Sequence, residues 1–222
     1  MARQPLLYVR RNAQVRFPAN ALKERPELAI LMAECIAVWS IIEVEMATML
    51  AAIMKAHAKP SAAVFLSIRN ARAQREAITA AAEIELTGRD LEMFQAIMIV
   101  YQALEAQRSD LAHGVFGVTV EIPDSVVWVE ARDYTSERVQ NYSDILNNRL
   151  PQADDSLREK CFVYRKADLE TLRDEITELW HAAFLFTICL QMPFGGEIIE
   201  REFQKLYTLP QIQRALSRLR DC

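Results

Sequence analysis

Residues 26–57 read PELAILMAECIAVWSIIEVEMATMLAAIMKAH, and this stretch decides the fold class. Pro26 suits an early helical position, where an N–H would have no intrahelical partner, and Lys59-Pro60 supplies a stop, so one helix is expected from near Pro26 to about His57. Its apolar residues go most of the way round the helix, among them Leu31, Cys35, Trp39, Ile42, Met46 and Ile53. Such a helix belongs at the centre of a bundle or at a dimer interface. Glu34, Glu43 and Glu45 interrupt the run, so it is not expected to cross a membrane, and no membrane partner is expected.

Downstream, Ser61 is a fair N-cap for a second helix to about Leu86, ended by Thr87-Gly88. Asp90 opens a third that continues to about Ala112, with Gly114 placed to terminate it. The period then changes: Val115 to Ile122 and Val126 to Ala131 are β-rich runs joined through Pro123-Asp124-Ser125, a short hairpin. Residues 132–160 are polar and uneven, which suggests a long loop with one helical turn. Asp168 opens a fourth long helix that stops at Pro193 and Gly195-Gly196; helices from Glu197 to about Tyr207 and from Pro210 to Arg220 follow. The expected architecture is all-α: an up-and-down bundle of about five helices with a short β-hairpin insertion after the third. The domain expectation is a basic N-terminal arm, residues 1–23, followed by a single helical-bundle domain, residues 24–222, whose hairpin and loop insertion spans 115–165.

The 222 residues are 51% hydrophobic and 25% charged with only five glycines, which excludes disorder for most of the chain and favours helix. A net charge of −4 argues against a broad basic face for nucleic acid. The charge is uneven, however: residues 1–23 carry Arg3, Arg10, Arg11, Arg16 and Lys23 with no acid, so this arm is +5 and the rest is −9. It reads as an RNA contact, a transit peptide or a solvated leader. Arg214, Arg218 and Arg220 form a second basic segment. Cys35, Cys161, Cys189 and Cys222 show no metal-ligand spacing and read as buried free thiols, and no apolar leader opens the chain, so a cytoplasmic location is expected.

No phosphate-cradling glycine loop, nucleophile elbow or His-Glu metal box is present, and neither a metal nor a cofactor is expected. The chain has three histidines. His57 sits at a helix end beside Lys59-Pro60, and His181 lies inside an apolar helix. His113 differs, because it closes Arg108-Ser109-Asp110-Leu111-Ala112-His113-Gly114. In a straight helix Arg108 and His113 are separated by about 140° and roughly 7.5 Å. Termination at Gly114 would let His113 leave the helical path, and Asp110, three residues earlier, could orient its ring. A histidine that moves a proton beside a guanidinium that grips phosphate oxygens suits phosphodiester chemistry. The same residues also fit an ordinary helix end, where cations meet the negative end of the dipole.

This stretch resembles the R-x4-6-H signature of the HEPN superfamily, in the R-N-x-L-A-H-G form of many small bacterial members. Trp39 to Glu43 upstream, and Phe116-Gly117, Pro123-Asp124, Trp128 and Asp133-Tyr134 downstream, are similar to the segments flanking that motif. The resemblance covers residues 25–190 in architecture, while its diagnostic part is seven residues long. It implies a helical bundle that dimerises and joins two motifs across the interface, with metal-independent RNA cleavage. His113 would then act in proton transfer and Arg108 would bind the scissile phosphate, with Ser109 and Asp110 in support. Implied partners are RNA or a nucleotide, a second copy of the chain, and an antitoxin or other protein. Ser109 departs from the Asn, Asp or His that usually follows the arginine. The competing expectations are a non-catalytic helical dimer that binds a nucleotide, RNA or protein through the same groove, and a structural module in which the motif only packs the dimer.

Overall fold

The computed structural model describes residues 3–147, 149, 156–191 and 197–221. The chain forms two compact units, one from Met1–Ile36 and Gln107–Arg173, the other from Ala37–Ala106 and Asp174–Cys222. Ten α-helices occur among the described residues, so the chain is mostly helical, but with more helices than the five expected and with a sheet rather than a lone hairpin. Three long helices, α2 (Pro26–Ile53), α5 (Gly88–His113) and α8 (Lys166–Gln191), each give one end to the first unit and the remainder to the second.

The first unit holds a five-stranded antiparallel sheet in the order β1 (Gln4–Pro5), β5 (Phe162–Arg165), β4 (Ser125–Glu130), β3 (Gly114–Thr119), β2 (Val15–Arg16). The expected hairpin is its centre, β3 against β4, with Val115 opposite Val129. The other three strands are two to four residues long, too short for alternation to show in the sequence. Successive residues face opposite sides, and both sides are covered, so Ser125–Val129 are all buried. One face carries Val127, Val129 and Val163 into a core with Leu6, Ala13 and Cys161, against which Phe17, Tyr134 and Leu157 pack. The opposite face carries Trp128, Phe162 and Tyr164. The basic stretch 1–23 is part of this unit: it supplies both edge strands, the short helix α1 (Leu6–Val9) and most of a 3-10 turn (Ala21–Glu24), with Leu6 fully buried.

Where a long loop was expected, a sixteen-residue helix, α6 (Ala131–Leu146), is found, followed by the short α7 (Ser156–Glu159). No α6 residue is buried, so it has no core-facing stripe to read. Side-chain bonds four residues apart support it instead, such as Arg138 to Tyr142 at 2.7 Å and Gln140 to Asp144 at 3.1 Å.

The second unit is helical. Trp39, Ile42, Met46, Phe94, Ile97 and Phe186 are fully buried or nearly so. Trp39 donates its indole N–H to Glu43 at 3.0 Å and packs on Tyr101, with ring centroids 4.9 Å apart. The first long helix ends at Ile53, earlier than expected: Lys55 turns into the left-handed region, and Pro60 falls in the first turn of α3 (Ala58–Ser67), where proline is tolerated. The single helix expected over 61–86 is two, α3 and α4 (Ala71–Glu85), because the Asn70 side chain accepts from Ala73 N at 3.1 Å and starts a new helix. Helices α9 (Glu197–Thr208) and α10 (Pro210–Arg220) follow the expected pattern, while the expected stop at Pro193 and Gly195-Gly196 lies outside the described residues.

By length and composition alone α2 is apolar enough to cross a membrane, and half of its most apolar window is buried inside the protein. Cys35, Cys161 and Cys189 are buried and form no disulfide, and Cys222 lies outside the described residues.

Candidate functional site

All four residues of the motif lie on the last turn and a half of α5, in the first unit. The helix does not loosen at its end: it stays helical through His113, and Gly114 begins β3 directly. Arg108 continues the inward stripe of Ile97, Tyr101 and Leu104 and is half-buried, while His113 lies one helical repeat beyond Ala106 on the outward stripe and is exposed. Within one chain the pair therefore keeps its separation of about 140°.

Gly114 has a role other than the one expected. Its φ is not positive, so conformational freedom is not what glycine provides there. A Cβ at this position would fall 1.6 Å from Trp128 Nε1, so glycine is needed for space. The indole admitted there donates to the Asp110 backbone carbonyl at 2.7 Å. That carbonyl is one of the last four of α5, which have no intrahelical partner. Trp128 therefore caps the helix.

The Asp110 carboxylate is engaged by Arg3, from the segment read as a basic arm, and not by His113. The Arg3 guanidinium lies 4.2 Å from the Trp128 ring centroid and 4.5 Å from that of Phe162. The nearby Tyr164 hydroxyl has its pKa pushed up to about 12 by burial, with the Asp110 charge adding in the same direction and the Arg3 cation opposing it. Trp128 and Tyr164 are buried, and the side chains of Arg3 and Asp110 are both less than a third exposed. The structure thus gathers Arg3, Asp110, Trp128, Phe162 and Tyr164 around one turn, with half-buried Ser109 beside them.

Sequence reasoning missed Arg3, Trp128, Phe162 and Tyr164. The signal for Arg3 was present, as the first cation of an acid-free arm. Nothing in the sequence gives the register that sets Trp128 opposite Phe162. Of the other histidines, His57 is the exposed N-cap of α3 and makes no capping bond through its side chain; His181 is exposed, its ring 4.7 Å from that of Trp180. Among the described residues no group of three or more His, Cys, Asp or Glu is placed to hold a metal. Two open grooves, of about 240 Å³ beside Arg25, Pro123 and Lys166 and about 520 Å³ beside Arg72, Arg75 and Glu83, contain none of the motif residues.

No family model, no curated protein and no solved structure matches the chain.

Proposed function

We propose that the chain is a metal-independent RNA endonuclease of HEPN type, a toxin or defence component, cutting RNA through Arg108 and His113 at a composite site between two copies. In this reading His113 transfers the proton at the 2′-hydroxyl or at the leaving oxygen, and Arg108 holds and neutralises the scissile phosphate. The 2′-oxygen displaces the 5′-oxygen at phosphorus, which requires RNA and leaves a cyclic phosphate and a free 5′-hydroxyl. The observation that carries the reading is the stiff end of α5, which exposes His113 but turns Arg108 about 140° away from it. A composite site would join the arginine of one copy to the histidine of the other.

The test is cleavage of single-stranded and structured RNA with EDTA present. Arg108→Ala and His113→Ala should each abolish cleavage while the fold is retained, and mixing the two variants should restore part of it. An inert wild-type protein between pH 6 and 9 would refute the reading. A second reading, a non-catalytic dimer binding a nucleotide, RNA or a protein through the same groove, draws on one observation: the motif's acid is engaged by Arg3 and does not orient His113. It requires that the same substitutions weaken binding in calorimetry with no product formed.

A further inference from the structure

Arg3 stands at the start of the described chain and its side chain reaches the motif. We propose that Arg3 is a positioning residue for the Arg108–His113 turn, acting through Asp110, and that Asp110, Trp128, Phe162 and Tyr164 form a guanidinium receptor filled by the chain's own Arg3. Its catalytic consequence rests on the ribonuclease reading; the receptor itself does not.

Each wall of the receptor contributes different chemistry. Trp128 on β4 and Phe162 on β5 are cross-strand partners, and their rings lie 4.2 and 4.5 Å from the guanidinium carbon. The negative faces of aromatic rings attract a flat, delocalised cation. Tyr164, two residues along β5, is on the same face and offers a hydroxyl, and Asp110 on α5 supplies the counter-charge. A lysine would match the charge but neither the plane nor the fork of donors.

The tether makes this contact efficient. Leu6 is fully buried and donates its N–H to Cys161 O at 2.9 Å, and Gln4 and Pro5 pair with Val163 and Phe162. Arg3 is therefore held at high local concentration beside its receptor. The consequence for the motif is electrostatic. Asp110 lies three residues before His113, within reach on the helix surface. With its charge held by Arg3, the carboxylate competes less for His113 and opposes an incoming phosphate less.

The experiment uses the full chain, with Arg3→Ala and Arg3→Lys, and reads amide hydrogen exchange along the last turn of α5 together with cleavage of a single-stranded RNA oligonucleotide. Arg3→Ala should speed exchange there about tenfold and lower kcat about tenfold with KM within about twofold. Arg3→Lys should recover only part of both. Millimolar methylguanidinium should restore protection and rate to Arg3→Ala while leaving the wild type unchanged. Wild-type exchange and wild-type rate in Arg3→Ala would overturn the proposal. If Arg3→Ala does not fold, Arg3→Lys decides: behaviour equal to wild type would overturn a guanidinium-specific receptor. An inactive wild type would defeat the ribonuclease reading alone, and exchange with methylguanidinium rescue would still decide the receptor.

Discussion

Gly114→Ala is the sharpest probe of how the sheet holds the end of α5. The new methyl group would lie 1.6 Å from Trp128 Nε1, 2.3 Å from Cδ1 and 2.5 Å from Cε2, so the indole must move as a body. Moving a ring that is only 4% exposed overpacks a filled site, at about 1–3 kcal/mol. It also breaks the 2.7 Å bond to the Asp110 carbonyl, and leaving a shielded carbonyl unpaired costs about 1–3 kcal/mol more. Against this, alanine returns about 0.4–1 kcal/mol by restricting the unfolded chain. The expected net loss is about 2–4 kcal/mol, a fall in Tm of roughly 5–15 °C at about 2–4 °C per kcal/mol for a chain of this size. Urea unfolding followed by tryptophan fluorescence measures it. Gly114→Ala combined with Trp128→Leu should cost less than the sum of the two single changes, because the second removes the obstacle to the first. Gly88→Ala is the contrast: it has a φ of +56° with open space around it, so its cost comes from the backbone, about 1–2 kcal/mol, and is indifferent to Trp128. Stability within about 0.5 kcal/mol of wild type for Gly114→Ala would refute the steric argument.

Alkaline titration provides a further check on the Arg3 receptor. Burial raises the Tyr164 pKa from 10 to about 12, so its contribution to stability is fully present below pH 10 and is lost as the pH rises through about 12, roughly 2–3 kcal/mol in all. Cys161, raised from 9 to about 11 by burial, acts with the same sign from pH 9 upward. Unfolding measured between pH 8 and 12 should therefore show a decline that flattens in Tyr164→Phe at its upper end; an identical decline in that variant would count against the buried phenol.

How legible these features were depended on how far each one reached along the chain. α2, α5 and α8 announce themselves because a core helix repeats its apolar residues over more than twenty positions. α6 does not, since nothing on it is buried and its support is polar. The edge strands β1 and β2 are two residues each, below the length at which a period of two can be seen, so a folded segment looked like a charged leader. Gly114 was recognised as a boundary but for the wrong physical reason: sequence suggests its flexibility, and only the register of β4 against α5 shows the crowding.

The departure at Ser109 takes on a definite meaning once α5 is known to be helical through His113. Residues three and four apart on a helix are both surface neighbours, so positions 110 and 109 flank His113 on opposite sides, about 60° and 40° away about the axis. An acid or amide directly after the arginine would therefore stand beside the histidine. Here the acid falls one place later, on the other side of His113, where it meets Arg3. Asp110 thus ties the sheet to the helix, while Ser109 offers a hydroxyl alone beside His113. Ser109→Asn should supply the missing amide at a cost to folding of under about 0.5 kcal/mol, since the position is half-buried and helical propensities of the two residues are close. On the ribonuclease reading it should raise the single-turnover cleavage rate several-fold. Asp110→Asn should instead lower stability, because the receptor loses its counter-charge. A Ser109→Asn protein that folds but cleaves more than tenfold slower would show that position 109 does not serve His113 in this chain.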